Sequence, residues 1–242
     1  MTGVGASQSM QVAEGVFRLG SPLVNFYLVE EGDAFTLVDG GLPGYWDQLP
    51  QLLSSQGKSL SDIRAIVLTH SHADHIGIVA RASRETGAPI FVHELDASPG
   101  RKRFPPMRLY LLPASWPLTM EMARARVFAT PDLPATLPFQ GGETLDVPGR
   151  PRVLHCPGHT FGSCVLHLPE RGVTFTGDSL VTLDPYRQKE GPTTMIPSVN
   201  QDDDLAKRSL ARLRSVGQTC LLSGHGEPWS GSLDSVVDAI GK

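Results

Sequence analysis

Cysteine is scarce in this sequence: three residues among 242, Cys156, Cys164 and Cys220, with no CxxC pair. An odd, scattered set argues against a disulfide framework and fits reduced thiols in a cytosolic setting. Long hydrophobic runs are absent as well. No stretch approaches the roughly 18 consecutive apolar residues that a spanning helix needs. The opening "MTGVGASQSMQVAEG" has neither a basic n-region nor an apolar h-region, so no signal peptide is expected. Charge of one sign is never concentrated. The net charge is -4 and the only local cluster is Arg101, Lys102 and Arg103, read as a solvated loop. That balance excludes a dedicated nucleic-acid binder, which would carry a basic face. The expectation is a soluble cytoplasmic protein with neither membrane nor nucleic acid as partner.

What is present is ordinary globular material, 40% hydrophobic and 19% charged, in a chain long enough to build its own core. "GVFRLG", "NFYLVEE" and "AFTLVDGG" are short β-prone runs separated by Gly, Pro and Asp, with "EGD" at 31–33 as a hairpin turn. "GYWDQLPQLLSSQG" spaces Trp46, Leu49, Leu52 and Leu53 for a helix, weakened at Pro50. "IRAIVLTH" predicts a strand. A helix is expected from Asp74 through "HIGIVARASRETG", stopped by Gly87, and "PIFVHE" predicts a further strand. Residues 96–143 differ, with six prolines between Phe104 and Leu137 and one short helix expected near Thr119–Phe128. Such a segment is a lid over a pocket or an insertion capping a sheet edge. As a lid, it would present Phe104, Met107, Leu109, Tyr110 and Trp116 inward, with Arg101–Arg103 attracting an anionic substrate. Strand signals return in "RPRVLHCPG", "SCVLHL", "GVTFTGD" and "TCLLSGHGEP". "DDDLAKRSLARLRSVG" predicts a helix with Leu205, Leu210 and Leu213 on one face, and "LDSVVDAI" a closing one. Strands and helices alternate in two similar halves, which predicts an α/β layered sandwich, sheets inside and helices outside, in a single domain spanning 1–242.

The chemistry concentrates in "LTHSHADHIGI". His70 and His72 alternate by two and can point the same way, while Asp74 and His75 can face a second point. One loop can thereby serve two cations, and imidazole with carboxylate suits zinc and similar borderline metals. Three or four more ligands are needed. His159 in "CPGHTFGS", Asp178 in "FTGDSL" and His225 in "SGHGEP" supply them, each after a strand-like run and beside glycine, which lets the backbone turn sharply. Five of the eight histidines fall in this set. His155 and His167 lie in strand-like runs and read as structural. Cys156 and Cys164 read as packing residues.

The ordered set HxHxDH, GHT, TGD and GHG, preceded by "LVDGG" around Asp39, resembles the metallo-β-lactamase superfamily over about residues 15–230, with a glyoxalase II-like metal site. The resemblance implies an αββα four-layer sandwich. It implies one ion held by His70, His72 and His159, a second held by Asp74, His75 and His225, and Asp178 bridging both. It places Asp39 behind the ligands, and makes Asp74 and Asp178 catalytic as well as ligating; His93, which follows a strand-like run in "FVHELD", reads either as a residue behind the ligands or as a surface one. Histidine rather than glutamate at position 72 points to hydrolysis rather than di-iron redox chemistry. The expected cofactors are two divalent ions, zinc foremost, with manganese or iron accepted by the same ligands. The expected activity is hydrolysis of a small-molecule ester, thioester or lactone, in a chain that could form a homodimer. The alternatives are a mononuclear iron sulfur-oxygenase and an acyl-homoserine lactonase. "TGDSLVTLDPYRQKEG" lacks the "GCGR"-like run of glyoxalase II and the persulfide dioxygenases. Val181 stands where the lactonases place a tyrosine, the next tyrosine downstream being Tyr186. Asp178 and the missing signal peptide speak against a secreted β-lactamase, and the acidic balance against a ribonuclease Z-like enzyme.

Overall fold

Antiparallel hairpins open the chain because its first four strands are separated by two turn residues each. In a computed structural model describing residues 10–97, 104 and 106–241, strands β1 (Met10–Ala13), β2 (Val16–Ser21), β3 (Val24–Glu31) and β4 (Ala34–Val38) pair in sequence. Helix α1 (Gln48–Ser55), strand β5 (Ile63–Val67), helix α2 (Val79–Thr86), strand β6 (Ile90–His93), helix α3 (Trp116–Arg124) and strand β7 (Leu137–Phe139) follow. Strands β4 to β7 pair in parallel, so the first sheet runs β1 to β7 in order. The second half contributes β8 (Arg152–His155), β9 (Cys164–Leu168), β10 (Val173–Gly177), the hairpin β11 (Val181–Asp184) and β12 (Lys189–Thr193), helix α4 (Asp203–Ser209), β13 (Gln218–Ser223), β14 (Trp229–Ser232) and helix α5 (Leu233–Ile240). Its sheet has the order β14-β13-β10-β9-β8, with β10 and β13 parallel.

Period-two alternation sorts each strand's residues into different cores. Phe26 and Leu28 of β3 face a core shared with α1, α2 and α3, whereas Tyr27 and Val29 face the second sheet. On the other side, Val153 and Leu166 face the first sheet, and Leu154 and Val165 pack against Leu233 and Val237 of α5. Three apolar layers therefore separate four structural layers: helices, sheet, sheet, helices. This is the αββα sandwich.

Helix boundaries depart from the sequence reading where tertiary bonds take the backbone. The helix expected from Asp74 begins only at Val79, because the preceding turns bond to the loop after β4: Gly40 N donates to His75 O, Gly77 N to Gly41 O and Ile78 N to Gly40 O. Gly87 ends it with a left-handed φ of 75°. Pro50 is tolerated because it is the third residue of α1, where no intrahelical donor is required. Helix α4 is short and tightens into a 3-10 turn over Leu210–Ser215. Its buried face is Ala206, Ser209, Leu210 and Leu213, leaving Leu205 half-buried.

Between Phe104 and β7 the chain forms short 3-10 turns around α3, which begins at Trp116 rather than Thr119. Leu109, Tyr110, Leu118, Met122 and Val127 pack into the first core. Met107 and Trp116, expected to face inward, are 64% and 61% exposed, and Phe104 lies on the surface too. The inward face passes instead to residues spaced along α3, Leu118 and Met122, which a helical period places together. Gly44 N to Ala125 O and Thr130 Oγ1 to Ala73 O tie the segment to the loops beneath it. Arg101–Arg103 lie outside the described residues.

Candidate metal centre

The loops at one edge of the sandwich carry every predicted ligand. Asp39 and His70 follow β4 and β5, which are parallel neighbours. Asp178 and His225 follow β10 and β13, likewise parallel neighbours. His159 follows β8, which runs in the same direction as β10 through the intervening antiparallel β9. In open α/β sheets the crevice beyond the carboxyl ends of the strands is where ligands bind. Two close approaches require glycine. A Cβ on Gly224 would lie 2.3 Å from Asp178 Oδ1, and one on Gly158, whose φ is 133°, would lie 2.1 Å from the backbone nitrogen of Ala206.

Two groups of buried donors result. His70, His72, His159 and Asp178 form one, and Asp74, His75 and His225 the other. In the first, His72 Nδ1 lies 3.2 Å from His70 Nε2 and 2.8 Å from His159 Nε2, with Asp178 Oδ2 3.3 Å from His159 Nε2. In the second, His225 Nε2 lies 3.7 Å from Asp74 Oδ2. Asp178 reaches it too: Oδ2 is 3.2 Å from His225 Nε2 and Oδ1 is 3.3 Å from His75 Nε2. A tetrahedral ion at ~2.1 Å from its ligands would separate them by roughly 3.4 Å, which is the spacing seen here. His75 Nε2 and Asp178 Oδ1 face each other while both are buried without a hydrogen-bond partner. Buried polar atoms are rarely left so, and a cation between the two would satisfy both. The clusters fit a dinuclear metal centre.

The far nitrogen of four of the five rings has its own partner, which fixes tautomer and orientation. Thr69 Oγ1 donates to Asp39 Oδ2 at 2.7 Å and so accepts from His70 Nδ1 at 3.1 Å. His75 Nδ1 donates to Asp39 Oδ2 at 3.0 Å, His159 Nδ1 to Asn200 Oδ1 at 2.9 Å, and His225 Nδ1 to the carbonyl of Leu23. Nε2 of all four rings is thereby directed inward. Asp39 adopts a left-handed φ of 60° and also accepts from Thr69 N at 2.8 Å, so one strained residue braces both the loop and a ligand.

Charge differs between the groups. Burial, then the neighbouring imidazoles, push His70 well below the usual histidine range. Burial acts on His75 and His225 in the same direction, but Asp178 outweighs it and holds both above that range, helped by Asp39 at His75 and by Asp74 at His225. Asp178 itself is held well below the carboxylate range despite burial, by His225 and His75.

His93 is not brought to the centre. It stacks on His155 with ring centroids 4.1 Å apart and accepts from Leu95 N, because β6 ends on the side of the sheet facing β8. His155 and His167 bond to Phe161 O and to Thr174 Oγ1 within the second sheet. Three residues outside the motifs matter. Asn200 and Thr69 orient ligand rings, and Asp96 accepts from Ser71 N, Thr160 Oγ1 and Gly162 N, clamping the two ligand loops together. Thr69 adjoins His70 in sequence; Asn200 and Asp96 carry no local signal.

The profile of the metallo-beta-lactamase superfamily matches residues 20–225. The chain belongs to that superfamily. Its members are metal-dependent hydrolases, and the relatives carry such names. The probable metallo-hydrolase YflN of Bacillus subtilis (strain 168) is 26% identical over 96% of this chain and 91% of its own length. A hydroxyacylglutathione hydrolase of Cereibacter sphaeroides (strain ATCC 17025 / ATH 2.4.3) is 30% identical over 66% of this chain, which spans 47% of that protein. The solved structure of TTHA1623 in a di-iron-bound form is 29% identical, with a TM-score of 0.61 over 92% of this chain and 95% of that one. Among the described residues no helix is long and apolar enough to cross a membrane.

Proposed function

We propose that this superfamily member is a binuclear hydrolase of a small-molecule ester, thioester or lactone, with zinc as its preferred ion. The observation that carries the reading is Asp178, whose two oxygens reach the two donor groups from between them. Five imidazoles with two carboxylates suit zinc, while the di-iron form of TTHA1623 keeps iron as the competing ion. Bound there, such ions acidify water and polarise an acyl oxygen. The chain's own part is orientation and proton transfer. The four bonded rings keep Nε2 aimed inward without reorganisation. The Asp74 carboxylate, beside His225, accepts the proton of the attacking water and returns it to the departing oxygen or sulfur. The ligands are no more than 6% exposed, so bulk water is largely excluded and each electrostatic contact is strengthened.

The resemblance to a hydroxyacylglutathione hydrolase supports the ester and thioester classes. The missing "GCGR"-like run argues for an acyl donor other than glutathione. The 104–139 segment, tied to Ala73 beside the ligands, serves as the lid. Buried Cys156 and Cys164, with half-buried Cys220, all unbridged, support a reducing cytoplasm as its compartment.

Metal quantification paired with chromogenic esters, thioesters, lactones and phosphodiesters, with zinc or manganese added, tests the reading. Two ions per chain and turnover of an acyl substrate are expected. One ion, or oxygen consumption on a thiol substrate, overturns it in favour of the iron oxygenase.

A further inference from the structure

A cavity of about 350 Å³, in the range that holds a small ligand, lies where helix α2, the loop after β4 and the insertion meet. Its walls include Trp46, Gly77 and Ile78 and three arginines, Arg81, Arg84 and Arg126. No carboxylate among the described residues lines it. The cavity adjoins the ligand loop: Gly77 is two residues past His75, and Thr130, between the lining residues Ala129 and Pro131, donates to Ala73 O at 3.2 Å. It is still a separate place, since none of the seven metal donors forms its wall.

The arginines are gathered there with little to neutralise them. Arg81 lies over the Trp46 ring, 3.9 Å from its centroid, and its Nε donates to Glu85 Oε1 at 2.7 Å. Arg84 Nη2 approaches the same oxygen only to 3.9 Å, and Arg126 has no ion pair among the described residues. One carboxylate, outside the cavity, therefore serves two of three guanidiniums, and positive charges sharing one cavity repel unless an anion joins them. Helix α2 starts at this wall with no capping side chain and no acidic residue in its first turn, so its dipole adds to the same field. Arg126 is strained as well. Its backbone is left-handed, φ 61° and ψ 42°, and is held so by Gly44 N donating to Ala125 O and Ala129 N donating to Arg126 O. Glycine takes that conformation at lower cost, so the backbone alone does not explain an arginine there. Strain of this kind gathers at ligand clamps.

We propose that this cavity binds a phosphate group, free or carried by a small organic molecule, between Arg84 of α2 and Arg126 of the insertion, with Arg81 beside them. A carboxylate saturates a single guanidinium fork, whereas a phosphate group offers three acceptor oxygens and about two charges, enough for several forks. The bound group joins the insertion to the helix that follows the His70–His75 loop, and so fixes one against the other.

Calorimetry and thermal melting of the metal-loaded protein, with inorganic phosphate, glycerol 3-phosphate or acetate at constant ionic strength, test the site. Both phosphates should bind and raise the melting temperature, and acetate at the same concentration should not. Tighter binding of glycerol 3-phosphate than of inorganic phosphate marks an organic phosphate as the ligand; equal affinity marks the free ion. Arg84→Gln combined with Arg126→Gln should weaken this binding by about 10²-fold, roughly tenfold for each bond to a charged acceptor, with metal content unchanged. Phosphate also has affinity for ions at the metal centre, so Asp178→Ala is the counterpart variant, and binding at the cavity should survive it. Phosphate affinity that persists in the double arginine variant, or that disappears in Asp178→Ala alone, would overturn the proposal. Acetate binding as tightly as phosphate would overturn it too. Both arginines are exposed, so the double variant should melt cooperatively. Should it not, Arg126→Gln alone, with the same left-handed backbone, makes the same comparison with an expected loss of about tenfold. No turnover enters these measurements, so they decide the site whether or not the protein hydrolyses an acyl substrate.

Discussion

The two donor groups of the centre are built from the same residue types but are braced by different chemistry. In the first, His70 and His159 rest on neutral oxygens, those of Thr69 and Asn200. In the second, His75 rests on the Asp39 carboxylate, and Asp74 adds another negative charge. The first site is therefore braced by neutral groups, with Asp178 as its one carboxylate and His70 pushed well below the usual histidine range by its surroundings. The second is an ionic cluster in which Asp178, with Asp39 at His75 and Asp74 at His225, raises both imidazoles above the usual histidine range. A two-ion centre built this way has unequal halves, and Asp178 is the residue through which each half senses the other.

The largest disruption comes from removing that link. Asp178→Ala should reduce metal content from two ions to one or fewer and lower kcat by about 10³-fold, the scale of losing one preorganised electrostatic group in a closed site. Metal analysis and kinetics on the purified variant measure both. Full activity, or two retained ions, would separate the clusters and end the bridging role.

Single braces should act locally and more weakly. Asp39→Asn keeps an acceptor oxygen for His75 Nδ1 and deletes the charge. The expected result is a loss of about 10- to 100-fold in affinity for one ion of the pair, read by competition with a metal chelator. Asn200→Ala removes a neutral acceptor from His159 and should weaken the other ion by about tenfold, the lower end of that range. The asymmetry would be disproved by Asn200→Ala costing as much as Asp39→Asn, or by either variant loosening both ions equally. Thr69 touches both Asp39 and His70, so a small second effect in Asp39→Asn is expected.

The same contrast explains what the sequence makes legible. The seven donors are short polar side chains placed directly after apolar strands, and a period-two pattern with glycine punctuation locates strand ends well. The layered fold follows from the same alternation: Phe26 and Leu28 on one face, Tyr27 and Val29 on the other. The braces are a different matter. Asn200 reaches His159 across 41 positions, and Asp96 reaches Thr160 across 64. No local pattern encodes such a pairing, because the loops are brought together only by sheet stacking. His93 illustrates the converse: a polar residue at a strand end whose sheet neighbour turns out to be His155. In the insertion, exposed Met107 and Trp116 show that hydrophobicity alone does not assign a face where proline-rich turns break every period.

The smallest expected effect is the order in which the ions leave as acid is added. A proton competes with a cation for the same imidazole nitrogen, so affinity falls as pH falls wherever the metal-free ring is basic. Asp178 raises His75 and His225, which therefore recover protons first on acidification, whereas His70 is depressed and resists protonation. The ion held by Asp74, His75 and His225 should accordingly be released at a higher pH than its neighbour, leaving a one-ion protein over the interval between the two losses. Dialysis at stepped pH with metal quantification would show two separate losses. Asp39→Asn should move the second cluster's loss downward in pH relative to any drop in overall affinity, since His75 loses one of the charges that makes it basic. Simultaneous release of both ions, or prior release of the one beside His70, would mean that the shared Asp178 equalises the two halves and that the difference in their braces has no thermodynamic consequence.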